Sequence, residues 1–281
     1  MLGQFLYGVK YVLGLDKAGR NLRVYPDDTF VVSYPKSGNT WSRFLIANLS
    51  NPGEPATFAN INRLIPDPEA LSKRSLKKLP RPRILKSHEA FDPRYKKVIY
   101  IVRDPRDVVL SEYHFDIKRQ LIPEGTPVEE RVKLFLEGGT CPYGSWGENV
   151  ASWLYAREHN PRFLLVRYED LEADTTRELA RLAAFLGIEP TPERLTSAVE
   201  RSTADQMRKL EKAQAHLWSS TKETRKDKPF VRAAKSGGWR KELPESSLSE
   251  IESAWGPLMK KLGYELYVQK SVTAGVEVLD K

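Results

Sequence analysis

The pattern of apolar positions along the chain predicts short buried strands that alternate with amphipathic helices. Residues 29–34 (TFVVSY) and 98–102 (VIYIV) are β-branched and aromatic runs, typical of strands covered on both faces. Shorter runs at 83–86 and 163–166 predict two further strands. We therefore expect a central parallel sheet flanked by helices.

Apolar residues at helical spacing follow most of these strands. They predict helices over residues 40–49, 105–120, 175–186 and 247–262. Pro105 lies in a first turn, where its missing N–H costs little, and Gly187 and Gly263 stand where helices commonly end. We predict one α/β domain over residues 1–281 that opens with a P-loop-like strand–loop–helix unit.

Three segments depart from this alternation. Residues 51–82 are rich in proline and charge and predict a long loop with short helices. Residues 219–241 are polar and basic and predict a lid loop over a cofactor. Residues 1–27 predict an extension with an amphipathic helix that packs on the protein body. Since no apolar stretch reaches the length of a bilayer span, we expect no stable membrane insertion.

Composition and charge narrow the classes of function. The net charge of +8 over 281 residues indicates an anionic partner, but charge alone does not separate nucleic acid, lipid headgroups and a polyanionic small molecule. A single cysteine, Cys141, excludes an intramolecular disulfide and suits a reducing, cytoplasmic compartment. The four histidines and this cysteine lack the spacing of metal ligands, so we predict that no metal is required.

Residues 34–41 (YPKSGNTW) lie between the first predicted strand and the first predicted helix. Backbone N–H groups at such a junction form a cradle for an anion, and Gly38 lets a phosphate approach the backbone closely. Lys36 adds a positive charge, and Ser37 and Thr40 add hydroxyl donors. The order of residues differs from the Walker pattern, which contains GK[ST]. Taken alone, the segment is also compatible with a turn that carries a surface lysine.

A second candidate binding group begins where the strand at 98–102 ends. Arg103 follows this strand, at the edge of the sheet where ligands bind in open α/β folds. Ser111 lies two helical turns further on. Arginine is suited to a bidentate grip on a phosphate, although Arg103 can instead pair with Asp107 as a structural ion pair.

Two more segments carry candidate chemistry. Lys86 and His88 stand at the end of the short strand at 83–86, where His88 is either a general base or a structural histidine. Residues 232–239 (RAAKSGGW) form a basic, glycine-containing loop that either folds over a polyphosphate or is a solvated run of charge.

Together these segments resemble the cytosolic-type sulfotransferases that use 3′-phosphoadenosine 5′-phosphosulfate (PAPS), especially the bacterial members. The resemblance runs over residues 28–264. YPKSGNTW is similar to the family's 5′-phosphosulfate loop, usually YPKSGTTW, and residues 100–115 (YIVRDPRDVVLSEYHF) are similar to its 3′-phosphate motif. Residues 86–88 (KSH), 143–146 (YGSW) and 167–170 (RYED) match its Lys-Thr-His, Gly-Ser-Trp and Tyr-Glu-Asp segments.

The resemblance implies an activity and a role for each matched residue. The activity is transfer of the sulfuryl group of PAPS to a hydroxyl or amine, which leaves 3′-phosphoadenosine 5′-phosphate (PAP). His88 would be the general base, and Lys36 and Lys86 would stabilise charge on the transferring group and the leaving phosphate. The residues implied in nucleotide binding are Lys36, Ser37, Gly38, Asn39, Thr40, Trp41, Arg103, Ser111, Tyr168, Ser202, Arg232, Ala233 and Ala234.

The sequence departs from the family pattern at the lid and at the adenine site. Ala233 and Ala234 replace the Lys and Gly of the family's RKGxxGxW lid motif, and Lys235 is the nearest substitute cation. Ala204 replaces an aromatic residue that would stack on the adenine. We therefore expect fewer contacts between the protein and the nucleotide at both places.

Two competing functions and the acceptor stay open at this stage. A P-loop-type nucleotide kinase shares the strand–loop–helix cradle, but the chain has no GK[ST]. A nucleic-acid-binding module would use the basic tracts at 73–86 and 222–241, but the second already serves the predicted lid, so we expect no nucleic-acid partner. We predict a small acceptor, an apolar or aromatic alcohol, between loops 51–82, 122–143 and 214–230. The apolar and aromatic residues expected to line its pocket are Phe58, Leu64, Phe135, Tyr143 and Trp218. The sequence predicts no oligomeric state.

Overall fold

Four parallel strands form a sheet at the centre of the structure, a computed structural model in which residues 13, 15–218 and 220–267 are described. The strands are β1 (Thr29–Ser33), β2 (Ile84–Ser87), β3 (Lys97–Val102) and β4 (Phe163–Arg167). Their order is β2-β1-β3-β4, with Thr29 beside Ile84 on one side and Lys97 on the other. The chain thus adds β2 on one side of β1 and then β3 on its other side. The connections after β1 and β3 therefore run in opposite directions, and a crevice forms between the carboxyl ends of these two strands.

Both faces of this sheet are covered, as the apolar runs predict. Phe30 and Val32 of β1 pack into one apolar layer, whereas Val31 between them packs into the other. The same alternation holds along β3, where Tyr100 belongs to the first layer and Ile101 to the second. Alternate side chains of a strand point to opposite faces, so a strand buried on both sides is apolar throughout.

Helices form the outer layers of the domain. Those of nine residues or more are α1 (Asn39–Ser50), α4 (Pro105–Lys118), α5 (Val128–Leu136), α6 (Trp146–Arg157), α8 (Thr175–Leu186), α9 (Pro192–Arg201), α10 (Ala204–Gln214) and α12 (Glu245–Lys261). The shorter ones are α2 (Ile61–Leu64), α3 (Lys73–Lys77), α7 (Tyr168–Ala173) and α11 (Trp239–Glu242). The prediction of an α/β domain with a parallel sheet between helices is confirmed.

The predicted strands and helices differ from the observed ones mainly in their end residues, and the structure contains more helices than the sequence predicts. The helix predicted at 175–186 has those bounds, and Gly187 ends it with a φ of 75°. Residues 51–82 contain only the short helices α2 and α3, as expected. The prediction of a loop at 122–143 is wrong in its middle, because Val132 and Phe135 of α5 are buried against the core.

The two ends of the chain are described in part. The predicted N-terminal helix lies outside the described residues, apart from Leu13. Residues 15–27 include a short 3-10 helix, Gly19–Asn21, and Lys17 forms an isolated β-bridge with Ser72. Within the described ranges, no helix combines the length and apolar character that a membrane span requires.

Candidate active site

A cavity of about 290 Å³ opens at the carboxyl ends of the strands. Each strand delivers at least one residue to its wall: Lys36 after β1, His88 after β2, Arg103 after β3 and Tyr168 after β4. Parallel strands end at the same edge of a sheet, so residues far apart in sequence meet there. Of the predicted site residues, the wall contains Lys36, Gly38, Asn39, Thr40, Trp41, Lys86, His88, Arg103, Ser111, Tyr168, Arg232, Ala233 and Ala234.

The loop between β1 and α1 has the backbone of an anion cradle. Lys36 and Gly38 both have positive φ, at 63° and 92°, so the chain turns sharply before α1. No side chain of the described residues caps the start of α1, so its first N–H groups are open to a ligand. Ser37 does not reach the cavity wall; it is fully buried, and its Oγ has no hydrogen-bond partner among the described residues.

Lys36 lies between two aromatic rings in this structure. Its Nζ is 3.8 Å from the ring centroid of Phe115 on α4 and 4.6 Å from that of Phe230. Burial, with a contribution from the charge of Arg103, lowers the pKa of Lys36 to about 7, although Glu112 opposes the shift. The Lys36 amine is therefore only partly protonated at neutral pH, and a phosphate beside it would favour the charged ammonium form.

His88 is held as a neutral imidazole with one nitrogen available as a base. Its Nδ1 lies 2.7 Å from the carbonyl oxygen of Ser33, which can only accept, so Nδ1 carries the proton and Nε2 is unprotonated. Burial, together with the charge of Lys86, lowers the pKa of His88 to about 3. Asn39 donates to Ser33 Oγ at 3.2 Å, which connects the anion loop to the residue that orients His88.

Lys86 does not stand alone at the end of β2. Its Nζ donates to Asp67 Oδ2 at 2.8 Å, and both side chains are about 15% exposed in the cavity wall. Asp67 belongs to the loop between α2 and α3, and sequence reasoning missed it. No motif identifies it, because it faces Lys86 only through the fold.

Arg103 and the aromatic residues form the other end of the cavity. The guanidinium carbon of Arg103 lies 4.3 Å from the ring centroid of Tyr168, and its Nη2 donates to the Lys235 carbonyl oxygen at 3.0 Å. Tyr168 also packs edge-on against Trp41, with ring centroids 5.6 Å apart. A guanidinium and two aromatic rings suit a phosphate next to a planar base.

Ser202 and Asp107 have partners that the sequence did not predict. Trp41 Nε1 donates to the Ser202 carbonyl oxygen at 3.0 Å, and Ser202 Oγ accepts from Asn48, so Ser202 orients Trp41 from outside the cavity wall. Asp107 accepts from the N–H groups of Gly237 at 2.6 Å and Trp239 at 3.2 Å. The alternative of a simple Arg103–Asp107 ion pair is therefore not the arrangement observed, because Asp107 binds the backbone of the lid.

The described part of the lid loop, residues 220–241, lies across the cavity and is tied down through its backbone. The carboxylate of Glu211 accepts from Phe230 N at 2.6 Å, and Glu172 accepts from Ser236 N at 2.8 Å. Ala234 has a φ of 51°, a conformation that favours glycine. The Arg232 side chain lines the cavity but is paired with Glu242 at 3.1 Å, so it would have to change partners to bind a phosphate.

The expected acceptor residues divide between cavity and core. Trp218 lines the cavity, and the ring of Tyr143 lies 5.6 Å from that of His88. Phe135 is fully buried between Tyr34 and Trp255, so its expected place in the acceptor pocket is wrong. Across the described chain, no three His, Cys, Asp or Glu side chains are grouped so that they could hold a metal ion.

Comparison with known proteins shows which family the chain is similar to. The family model of the sulfotransferase domain matches residues 26–263. Rat sulfotransferase 1E1 is 32% identical over 84% of this chain and 84% of its own length, and mouse sulfotransferase 2B1 is 30% identical over 86% and 74%.

Solved structures share the fold. Retinol dehydratase in complex with androsterone and PAP has a TM-score of 0.70 at 22% identity, covering 86% of this chain and 83% of that one. A mouse sulfotransferase complexed with PAP has a TM-score of 0.68 at 24% identity, covering 86% and 88%. The chain therefore belongs to the family of cytosolic-type, PAPS-dependent sulfotransferases.

Proposed function

We propose that this enzyme transfers the sulfuryl group of PAPS to a hydroxyl or amine of a small acceptor, with His88 as the general base. The observation that carries the proposal is the neutral, oriented imidazole of His88 in the same cavity wall as Lys36 and Arg103. A base and two cations around one cavity suit a reaction in which a nucleophile loses a proton while a phosphate departs.

The protein groups available for the nucleotide suit its two charged ends. At the 5′ end, the open N-terminus of α1 and the Lys36 side chain offer donors to a phosphosulfate. At the 3′ end, Arg103 and Ser111 line the wall, and Arg103 Nε is buried without a hydrogen-bond partner among the described residues. We place the adenine at Trp41 and Tyr168, with Arg232, Ala233 and Ala234 of the lid above the 3′-phosphate.

The chemistry assigned to the protein is proton transfer and charge stabilisation. Bound PAPS supplies an electrophilic sulfuryl group with a phosphate as its leaving group. His88 Nε2 takes the proton of the acceptor, and the Ser33 carbonyl stabilises the imidazolium that results. Lys36, with the N–H groups of its loop and with Lys86, offsets the negative charge that grows on the transferring group and the leaving oxygen.

The aromatic residues of the cavity wall suggest the character of the acceptor. Phe115, Trp218 and Phe230 present aromatic surface to the cavity, and Phe230 packs edge-on against Trp218. These surfaces favour an acceptor that carries an apolar or aromatic ring. The structural neighbour retinol dehydratase is solved in complex with androsterone and in complex with retinol, which supports the proposal of a small-molecule acceptor.

Nucleotide preference tests the proposal directly. We expect PAP to raise the melting temperature and to release or absorb heat on binding, whereas ATP with Mg²⁺ should do neither. The reverse preference would favour the phosphotransferase alternative.

Turnover of labelled PAPS tests the role of the base. Substituting His88→Ala should lower the sulfuryl-transfer rate by roughly 10²-fold or more. His88→Asn is the matched variant, because its amide retains a donor for the Ser33 carbonyl but provides no base. Near-normal turnover in both variants would remove His88 from the mechanism.

A further inference from the structure

We propose that the Asp67–Lys86 pair is an acceptor-recognition site and that the enzyme selects acceptors with a second, neutral hydroxyl next to the hydroxyl that is sulfated. This inference rests on the proposed function and specifies its acceptor. Both side chains line the catalytic cavity with His88, and Asp67 Oδ2 accepts from Lys86 Nζ at 2.8 Å.

The Asp67 carboxylate has a fixed position. Lys86 N donates to the Pro66 carbonyl oxygen at 2.8 Å, which connects the loop that carries Asp67 directly to β2. Glu69 N donates to Asp67 Oδ1 at 3.0 Å, and the buried Arg43 of α1 donates to the Ile65 carbonyl oxygen at 2.5 Å. A group held from two separate elements is preorganised, so it can discriminate between ligands without an ordering cost.

The carboxylate of Asp67 also has capacity left for a ligand. Each of its oxygens accepts one hydrogen bond from the protein, from Glu69 N and from Lys86 Nζ. A carboxylate has about four acceptor positions. Although burial acts to raise its pKa, the charges of Lys86 and Arg43 prevail and hold the pKa of Asp67 below its ordinary value. The group is therefore an ionised acceptor at neutral pH.

The charges around this site favour a neutral hydroxyl over an ion. Lys86 and Arg43 both lie close enough to lower the pKa of Asp67, so they would repel an acceptor that carries an ammonium group. Asp67 would in turn repel an anionic acceptor. A hydroxyl can donate to Asp67 and accept from Lys86 at the same time, whereas an ammonium group can only donate and a carboxylate can only accept.

The position of the pair relative to His88 sets where the second hydroxyl must be. Lys86 belongs to β2 and His88 follows the end of this strand. Both line the cavity with Asp67, and the charges of Lys86 and Asp67 lie close enough to His88 to act on its pKa. An acceptor whose reacting hydroxyl points at His88 therefore presents its adjacent substituent to the pair. Phe230 and Trp218 can then pack against the ring that carries both hydroxyls.

Matched acceptor pairs test this inference. The pairs are trans-1,2-cyclohexanediol against cyclohexanol and 4-methylcatechol against 4-methylphenol, with trans-2-aminocyclohexanol, whose ammonium group is adjacent to the hydroxyl, as the cationic probe. For the wild-type enzyme, kcat/KM from labelled PAPS should favour the diol of at least one pair by ~tenfold or more, because a missing hydroxyl leaves buried polar groups unpaired. trans-2-Aminocyclohexanol should be no better than cyclohexanol.

Variants separate recognition from a general effect on the fold. Asp67→Asn keeps the size and one acceptor oxygen but removes the charge, and it should cancel most of the preference for the diol. Glu54→Gln is the control, because Glu54 is a surface carboxylate of the same 51–82 segment that pairs with Arg63. A structural role for Asp67 would lower kcat/KM for both members of a pair equally.

The outcomes distinguish this inference from the proposed function. If PAP binds but the two members of each pair react equally, the inference is overturned. It is also overturned if neither member of either pair reacts, or if Asp67→Asn leaves the ratio unchanged. If PAP fails to bind in calorimetry, the proposed function itself is refuted.

Discussion

Replacing Gly38 by alanine perturbs the anion loop at one defined point. Gly38 has a φ of 92°, and a Cβ added there would lie 2.5 Å from Cδ2 and 2.9 Å from Cε2 of Tyr168. Tyr168 has little freedom to move, because it is buried between the edge of Trp41 and the guanidinium of Arg103. The methyl group would therefore displace either the loop or the ring assigned to the adenine.

Two separate costs follow from this geometry. A left-handed backbone conformation costs a non-glycine residue roughly 1–2 kcal/mol. Forcing a methyl group into a packed site costs roughly 1–3 kcal/mol more. At roughly 2–4 °C per kcal/mol for a domain near this size, Gly38→Ala should lower the melting temperature by about 4–20 °C. PAP affinity should also fall ~tenfold or more. A displaced loop needs to lose only ~1.4 kcal/mol of binding free energy to cause a tenfold change.

Gly187→Ala provides the matched control. Gly187 has a φ of 75°, and no described atom outside its own neighbourhood lies within 4 Å of the Cβ that would be added. This variant therefore carries the backbone cost without the clash and lies at the end of α8, away from the cavity wall. Scanning calorimetry gives the two stabilities, and titration calorimetry gives PAP affinity. Equal melting temperatures with wild-type PAP binding in both variants would refute the argument for close packing at Gly38.

Three further perturbations have definite expected outcomes. Because the pKa of Lys36 is about 7 and a bound phosphate would raise it, PAP affinity should be full below pH 7 and fall by up to ~tenfold per unit above it. Titration calorimetry between pH 7 and 9, where phosphates no longer titrate, should show that the PAP affinity of Lys36→Arg does not change with pH. If the affinities of the wild-type enzyme and of Lys36→Arg changed with pH in parallel, the prediction would be contradicted. Ala234→Gly should stabilise the protein by ~1 kcal/mol in denaturant unfolding by relieving the positive φ, and a lower stability would argue against strain there. Asp107→Asn should speed hydrogen exchange at Gly237 and Trp239 by ~tenfold; unchanged rates would mean that this carboxylate does not hold the lid.

The sequence was enough to predict the sheet and the residues at its edge. The runs that became β1 and β3 are apolar throughout because both of their faces are covered, and a local pattern records that directly. Lys36, His88 and Arg103 each follow such a run, so their common place at the carboxyl edge follows from parallel strands alone. The family resemblance extended this to Trp41 and the lid, which also lie at the cavity.

Local sequence patterns did not predict the interior surfaces that distant segments form together. No local feature of an aromatic residue in a predicted loop indicates whether it will line a cavity or lie in the core. Trp218 lines the cavity, whereas Phe135, expected beside it, lies in the core on α5. The difference depends on which helix covers the residue, and that is a property of packing between elements.

The tertiary structure decided the chemical state of the site. The Ser33 carbonyl determines the tautomer of His88 across 55 residues, Asp67 binds Lys86 across 19, and Asp107 binds Gly237 across 130. Residue type and spacing predict which groups reach the edge of the sheet, because secondary structure is periodic. Protonation, pairing and lid position depend instead on burial and on neighbours contributed by other segments, and these exist only once the chain is folded.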